Sequence, residues 1–154
     1  MAGDGTAVKV NNHHNIDPSA KFPSVCLIDG DSEQKTNPEQ RIFRLPGQSP
    51  ESYVFDTVLE AADAAAGVLA VRLLQQFSSA TSVLQKLQNI RTTNRDPHVL
   101  FSQAGLELGL IPENTVRDAF VSTWAEFYPT EVNKIIGQFT ELVPTSKQTQ
   151  GKST

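Results

Sequence analysis

Apolar residues enter this chain late and in two different rhythms, a short strand-like one and then a long helical one. Residues 1–21 are mostly polar, and within them Ala7-Val8-Lys9-Val10 has a composition that suggests a short strand. Asn11-Asn12-His13-His14-Asn15 and Asp17-Pro18 then read as loop. Pro23-Ser24-Val25-Cys26-Leu27-Ile28 is a compact apolar run that stops at Asp29-Gly30-Asp31. A continuous run of that length fits a strand covered on both faces, as in a parallel sheet. Residues 32–40 are polar loop, and Arg41-Ile42-Phe43-Arg44-Leu45 forms a second short strand ending at Pro46-Gly47.

Beyond Gly47 the period becomes helical. Ser49-Pro50-Glu51 combines a capping hydroxyl, a proline in the first turn and an acid near the positive end of the helix dipole. Val54, Phe55, Val58, Leu59 and Ala62 follow as one stripe. Val68, Leu69, Val71, Leu74 and Phe77 predict a second helix, and Val83, Leu84, Leu87 and Ile90 extend it or form a third after Ser78-Ser79. Asp96-Pro97 opens a helix carrying Leu100, Phe101, Ala104 and Leu108 that finishes at Gly109. Glu113 to Phe127 predicts another, with Val116, Phe120, Trp124 and Phe127 on one side. Pro129-Thr130-Glu131 starts the last, with Val132, Ile135, Ile136, Phe139 and Leu142 facing inward.

There is no internal repeat. The order of elements predicts an α/β unit, a partial sheet of two or three short strands, followed by an all-helical appendage, helix-dominated overall. It divides the chain into a polar segment at 1–21, the α/β unit at 22–60, the appendage at 61–143 and a disordered tail at 144–154, where apolar content is too low to offset ordering entropy.

Composition narrows the function. The net charge of −4 and pI near 5.3 give no global attraction for a polyanion, so DNA binding would need a local basic patch, a divalent metal or a basic partner. The sole cysteine, Cys26, excludes an intramolecular disulfide and a thiolate-rich zinc site and suits a reducing compartment. No apolar run approaches 18 residues and no signal-peptide pattern opens the chain, so the expected location is the cytoplasm, without membrane insertion.

The chemistry lies in Asp29-Gly30-Asp31. Carboxylates are hard oxygen ligands suited to Mg²⁺ or Mn²⁺. Just beyond a buried strand they stand at the edge where α/β sheets collect ligands. The intervening glycine is expected to let the backbone turn so that both carboxylates address one site, and Glu33 is a further candidate oxygen ligand. The competing reading is a solvated Asp-Gly turn. An EF-hand is excluded, because Lys35, Thr36 and Pro38 stand where its ligands belong and the terminal bidentate Glu is missing.

Val25-Cys26-Leu27-Ile28-Asp29-Gly30-Asp31-Ser32, followed by Phe43-Arg44-Leu45-Pro46-Gly47-Gln48-Ser49-Pro50-Glu51, resembles the Toprim domain of the overcoming-lysogenization-defect family and related ATP-dependent endonucleases. The resemblance covers about residues 22–60. It implies a two-metal nuclease site with Asp29 and Asp31 as the family's paired aspartates, Mg²⁺ or Mn²⁺ as cofactor, DNA as substrate and a role in defence against phage. The family also places a glutamate at the end of an earlier strand, and here no Glu precedes Glu33. Nor does a Gly-x-x-x-x-Gly-Lys-Ser/Thr loop occur. The resemblance therefore implies a C-terminal fragment or subunit acting on DNA through a complete assembly. Its partner would be the missing N-terminal ATPase/Toprim half, or a second copy of the chain.

Other signals have plainer readings. His13-His14 in an Asn-rich segment reads as surface, His98 as a residue of a first helical turn, Cys26 as a buried thiol and Trp124 as core. Two non-catalytic readings stand beside the nuclease. One is a helical protein-interaction module. The other is a helix-turn-helix through Gly109 and Val116, where Glu113, Asp118 and Glu126 oppose Arg117 and would repel phosphate.

Overall fold

The computed structural model describes residues 4–75 and 79–140. Among these residues the fold is helix-dominated with one small parallel sheet. In chain order the elements are α1 (Asp4–Ile16), β1 (Cys26–Ile28), β2 (Ile42–Arg44), α2 (Pro50–Glu60), α3 (Ala62–Arg72), α4 (Ala80–Thr93), α5 (Leu100–Glu107), α6 (Glu113–Phe127) and α7 (Pro129–Thr140). Short 3-10 turns at Pro38–Gln40 and Pro97–Val99 lead into β2 and α5. Phe77, Leu142 and the expected tail at 144–154 lie outside the described residues.

The expected strand at residues 7–10 and the expected loop at Asn11–Asn15 are corrected by α1, one helix across both, whereas Asp17-Pro18 lie beyond its end and are loop as expected. It carries almost no apolar stripe, which is why its periodicity is silent. Polar side chains hold it instead. Asn11 and Asn15, one turn apart, face the sheet side: Asn11 Nδ2 donates to the Gln40 carbonyl at 2.8 Å, and Asn15 Nδ2 donates to the Ser24 carbonyl at 3.1 Å. Asn15 Oδ1 accepts from the Ser24 amide at 2.8 Å and Asn11 Oδ1 from the Ser24 hydroxyl at 2.7 Å. Val8 adds an apolar contact to the cluster of Cys26, Ile28 and Ile42.

β1 and β2 pair in parallel, Cys26 opposite Ile42, Leu27 opposite Phe43 and Ile28 opposite Arg44. The outer side of β2 is closed at Ile42, whose amide and carbonyl both bond Asn37 at 2.9 Å.

The main core belongs to the helices. Ser49 caps α2 as its sequence predicts, its hydroxyl accepting from the Ser52 amide. Val54, Phe55 and Val58 of α2 then join Leu69, Leu73, Val83, Leu87, Ile90, Leu100, Phe101, Val116, Phe120 and Trp124 in one cluster. Phe55 and Phe120 stack with centroids 4.4 Å apart, and Phe101 tilts against both. α3 buries Ala65, Ala66, Leu69 and Ala70, a face rich in small residues that lets it approach α4 and α6 closely; Leu73 just past its end is buried too, whereas Val71 and Leu74 are exposed. Ile136, expected inward, is half exposed, and Val132 and Ile135 carry the contact of α7 with the core.

Candidate metal centre

The site is the turn that leaves β1. Asp29 is half-buried, and Asp31 and Glu33 are exposed. Three sets of backbone contacts fix the turn. Ser32 N–H donates to the Asp29 carbonyl at 3.2 Å, closing it on itself. Asp31 N–H donates to the Gln48 carbonyl at 2.8 Å, docking it onto the segment that follows β2. Leu45 N–H donates to the Ile28 carbonyl at 2.9 Å and carries the parallel pairing to the start of the turn.

Two glycines permit this docking. A Cβ on Gly30 would lie 1.4 Å from the Gly47 carbonyl oxygen, so only a bare α-carbon fits. Gly30 is thus required for close approach and does not adopt the left-handed conformation. Gly47, with φ +78°, does adopt it, and a Cβ there would also strike the Tyr53 ring.

The fourth restraint is a side chain. Arg44 stands opposite Ile28 at the end of β2, and its Nη1 donates to the carbonyls of Asp29 at 3.0 Å, Gly30 at 2.6 Å and Ser32 at 3.0 Å. Nη2 donates to the Gln34 carbonyl at 2.6 Å. One guanidinium therefore gathers four carbonyls of the aspartate turn. Sequence reasoning passed over this residue, although a signal existed: Arg44 shares a strand face with buried Ile42, and a charge in phase with a buried residue needs acceptors.

Asp29 and Asp31 carry carboxylates, hard oxygen donors of the kind a Mg²⁺-type ion takes one or two of while filling its remaining positions with water and phosphate oxygen. Among the described residues no three His, Cys, Asp or Glu side chains form a group that can hold a metal, so Asp29, Asp31 and Glu33 are not by themselves a complete three-carboxylate site.

The Gly47-Gln48 segment also borders a cleft of about 600 Å³ between α2, the end of α4 and the α6–α7 junction. Arg91 in this cleft is held by Asp56 through two bonds of 2.5 and 2.8 Å. Tyr53 donates to Glu131, and its phenol is pushed up to about 12, first by burial and then by that carboxylate. With Asp56, Glu60 and Glu131 against Arg91 and Arg95, the cleft has no excess positive charge to draw a phosphate chain.

The remaining candidates have structural surroundings. His13 and His14 lie in the last turn of α1, not in a loop, and His14 Nε2 pairs with the Phe22 carbonyl at 2.8 Å. His98 is exposed and lies 3.7 Å from Glu51. Cys26 is buried in β1. Trp124 is core and meets Tyr53 edge to face at 6.3 Å. No helix among the described residues is long and apolar enough to cross a membrane. Compared with known proteins, the chain matches no family model, no curated protein and no solved structure.

Proposed function

We propose that this chain carries the paired-aspartate part of a divalent-metal-dependent, ATPase-coupled DNA endonuclease of the overcoming-lysogenization-defect type, with Asp29 and Asp31 as ligands to Mg²⁺ or Mn²⁺. One observation carries the reading. The two separated stretches that bear the sequence resemblance, residues 25–32 and 43–51, meet as a single unit: parallel neighbouring strands, Gly30 seated on Gly47, and the Asp31 amide bonded to Gln48. Paired carboxylates on a backbone turn docked at the carboxyl end of a parallel strand suit phosphodiester hydrolysis. A divalent cation bound there would supply charge neutralisation and water activation.

Two short strands are marginal alone, and parallel sheets normally bury both faces under more strands and helices. Asn37 pairs with β2 at Ile42, and beside β1 lies a groove of about 470 Å³ lined by Ala7 and Val10 of α1 and by Val25 and Leu27. A strand from the ATPase/Toprim half, or from a second copy, is the expected occupant, adding a further acid to the ion that Asp29 and Asp31 hold. The helix-turn-helix alternative gains nothing from the geometry: Arg117 on α6 is bonded to Glu113 and Asn114 of its own helix.

The test is nicking of supercoiled DNA by the complete assembly in Mg²⁺ or Mn²⁺. Asp29→Ala is expected to abolish nicking while leaving the fold of the chain intact. Nicking at the wild-type rate by a folded Asp29→Ala assembly refutes the assignment.

A further inference from the structure

We propose that Arg44 is a positioning residue that presets the aspartate turn for its metal, taking the place of a structural cation; this rests on the metal reading of Asp29 and Asp31. Four carbonyl dipoles converge on the Arg44 guanidinium from a stretch of only six residues, 29 to 34. Without a positive group at the focus these oxygens would repel one another, and the turn would open to water. A metal binding such an open turn would have to close it first, and its affinity would fall by the fraction of time the turn spends closed. With Arg44 in place the closure is completed when the protein folds.

Charge and geometry act in opposite senses here, and the choice of variant separates them. Removing the positive charge alone would favour a nearby cation. Removing the fork loosens the turn and disfavours it. Arg44→Lys keeps the charge and an aliphatic stem but cannot reach the carbonyls of Asp29, Gly30 and Ser32 on one side and of Gln34 on the other, because lysine is a point donor without a planar fork. Any loss of metal affinity in Arg44→Lys therefore reports geometry. The loss expected is that of a residue supporting a metal ligand, about 10- to 100-fold.

The experiment has two parts on the full chain. Mn²⁺ affinity is measured by electron paramagnetic resonance for wild type, Arg44→Lys and Asp31→Asn. Amide hydrogen exchange over residues 29–34 is followed with and without Mg²⁺. Wild type should bind Mn²⁺, Arg44→Lys should bind it 10- to 100-fold more weakly, and Asp31→Asn should lose it. The wild-type turn should be protected without Mg²⁺, and the Arg44→Lys turn only with it. Equal Mn²⁺ affinity in wild type and Arg44→Lys, with Asp31→Asn weakened, overturns the role of Arg44 and leaves the metal site standing. Wild-type protection that appears only with Mg²⁺ overturns it without reference to any variant. Absence of Mn²⁺ binding by wild type overturns both.

Discussion

Replacing Gly30 with alanine adds a single methyl group at the tightest backbone contact of the site. That carbon would lie 1.4 Å from the Gly47 carbonyl oxygen, 2.5 Å from its carbon and 3.1 Å from the Gln48 oxygen. An unforced carbon–oxygen contact is about 3.3 Å, so the two segments must part by roughly 2 Å. Neither obstacle is a flexible side chain; both are backbone. The separation breaks the 2.8 Å bond from Asp31 N–H to Gln48 O. Overpacking of this kind costs about 1–3 kcal/mol and the lost hydrogen bond about 1 kcal/mol. Alanine also stiffens the unfolded chain, which offsets about 0.4–1 kcal/mol. The net expectation is a loss of about 1–3.5 kcal/mol, equivalent to roughly 3–12 °C in Tm for a chain of this size. Urea titration and a thermal melt followed by circular dichroism measure it. Gly67→Ala is the control, since a Cβ there meets nothing within 4 Å on the exposed side of α3 and should stabilise the protein by about 0.5–1 kcal/mol. A Gly30→Ala protein as stable as wild type refutes the docking of the aspartate turn on residues 47–48.

Further expectations follow from the core and from the cleft. Phe55→Ala empties the centre of the helical core, where the ring is fully buried and stacked on Phe120, and should cost about 3–5 kcal/mol in urea denaturation; a loss under 1 kcal/mol would show that this stack is not the centre of the core. Tyr53 holds its proton to about pH 12 in the folded chain against an ordinary value of 10, so its contribution is complete below pH 10 and disappears as pH rises toward 12. The Tm advantage of wild type over Tyr53→Phe should therefore shrink between pH 10 and 12, and a constant difference across that window contradicts the raised phenol.

The sequence made the helical part legible because its signals are local. Ser49, Asp96 and the Glu113–Phe127 stripe mark helix boundaries through capping groups and apolar spacing, and those helices form where expected. Helix α1 was illegible for a physical reason: Asn11 and Asn15 hold it to backbone groups of Ser24 and Gln40, and no periodicity of apolar residues records such bonds. The aspartate turn was half legible. Asp29 and Asp31 advertise themselves by chemistry, whereas the roles of Gly30 and Arg44 depend on what arrives from 14 to 17 residues further along or back, namely Gly47 against Gly30 and the Gly30 carbonyl against Arg44. The alanine face of α3 was hidden likewise, because its small residues are chosen by the distance to α4 and α6 more than by their own hydrophobicity.

The central claim is that Asp29 and Asp31 together hold a divalent cation. Titration of Mn²⁺ into the wild-type chain and into the double variant Asp29→Asn/Asp31→Asn, read by electron paramagnetic resonance of the free ion, tests it most directly. One ion bound per wild-type chain and none by a folded double variant is the result this account predicts; equal binding by the two, or no binding by either, contradicts it.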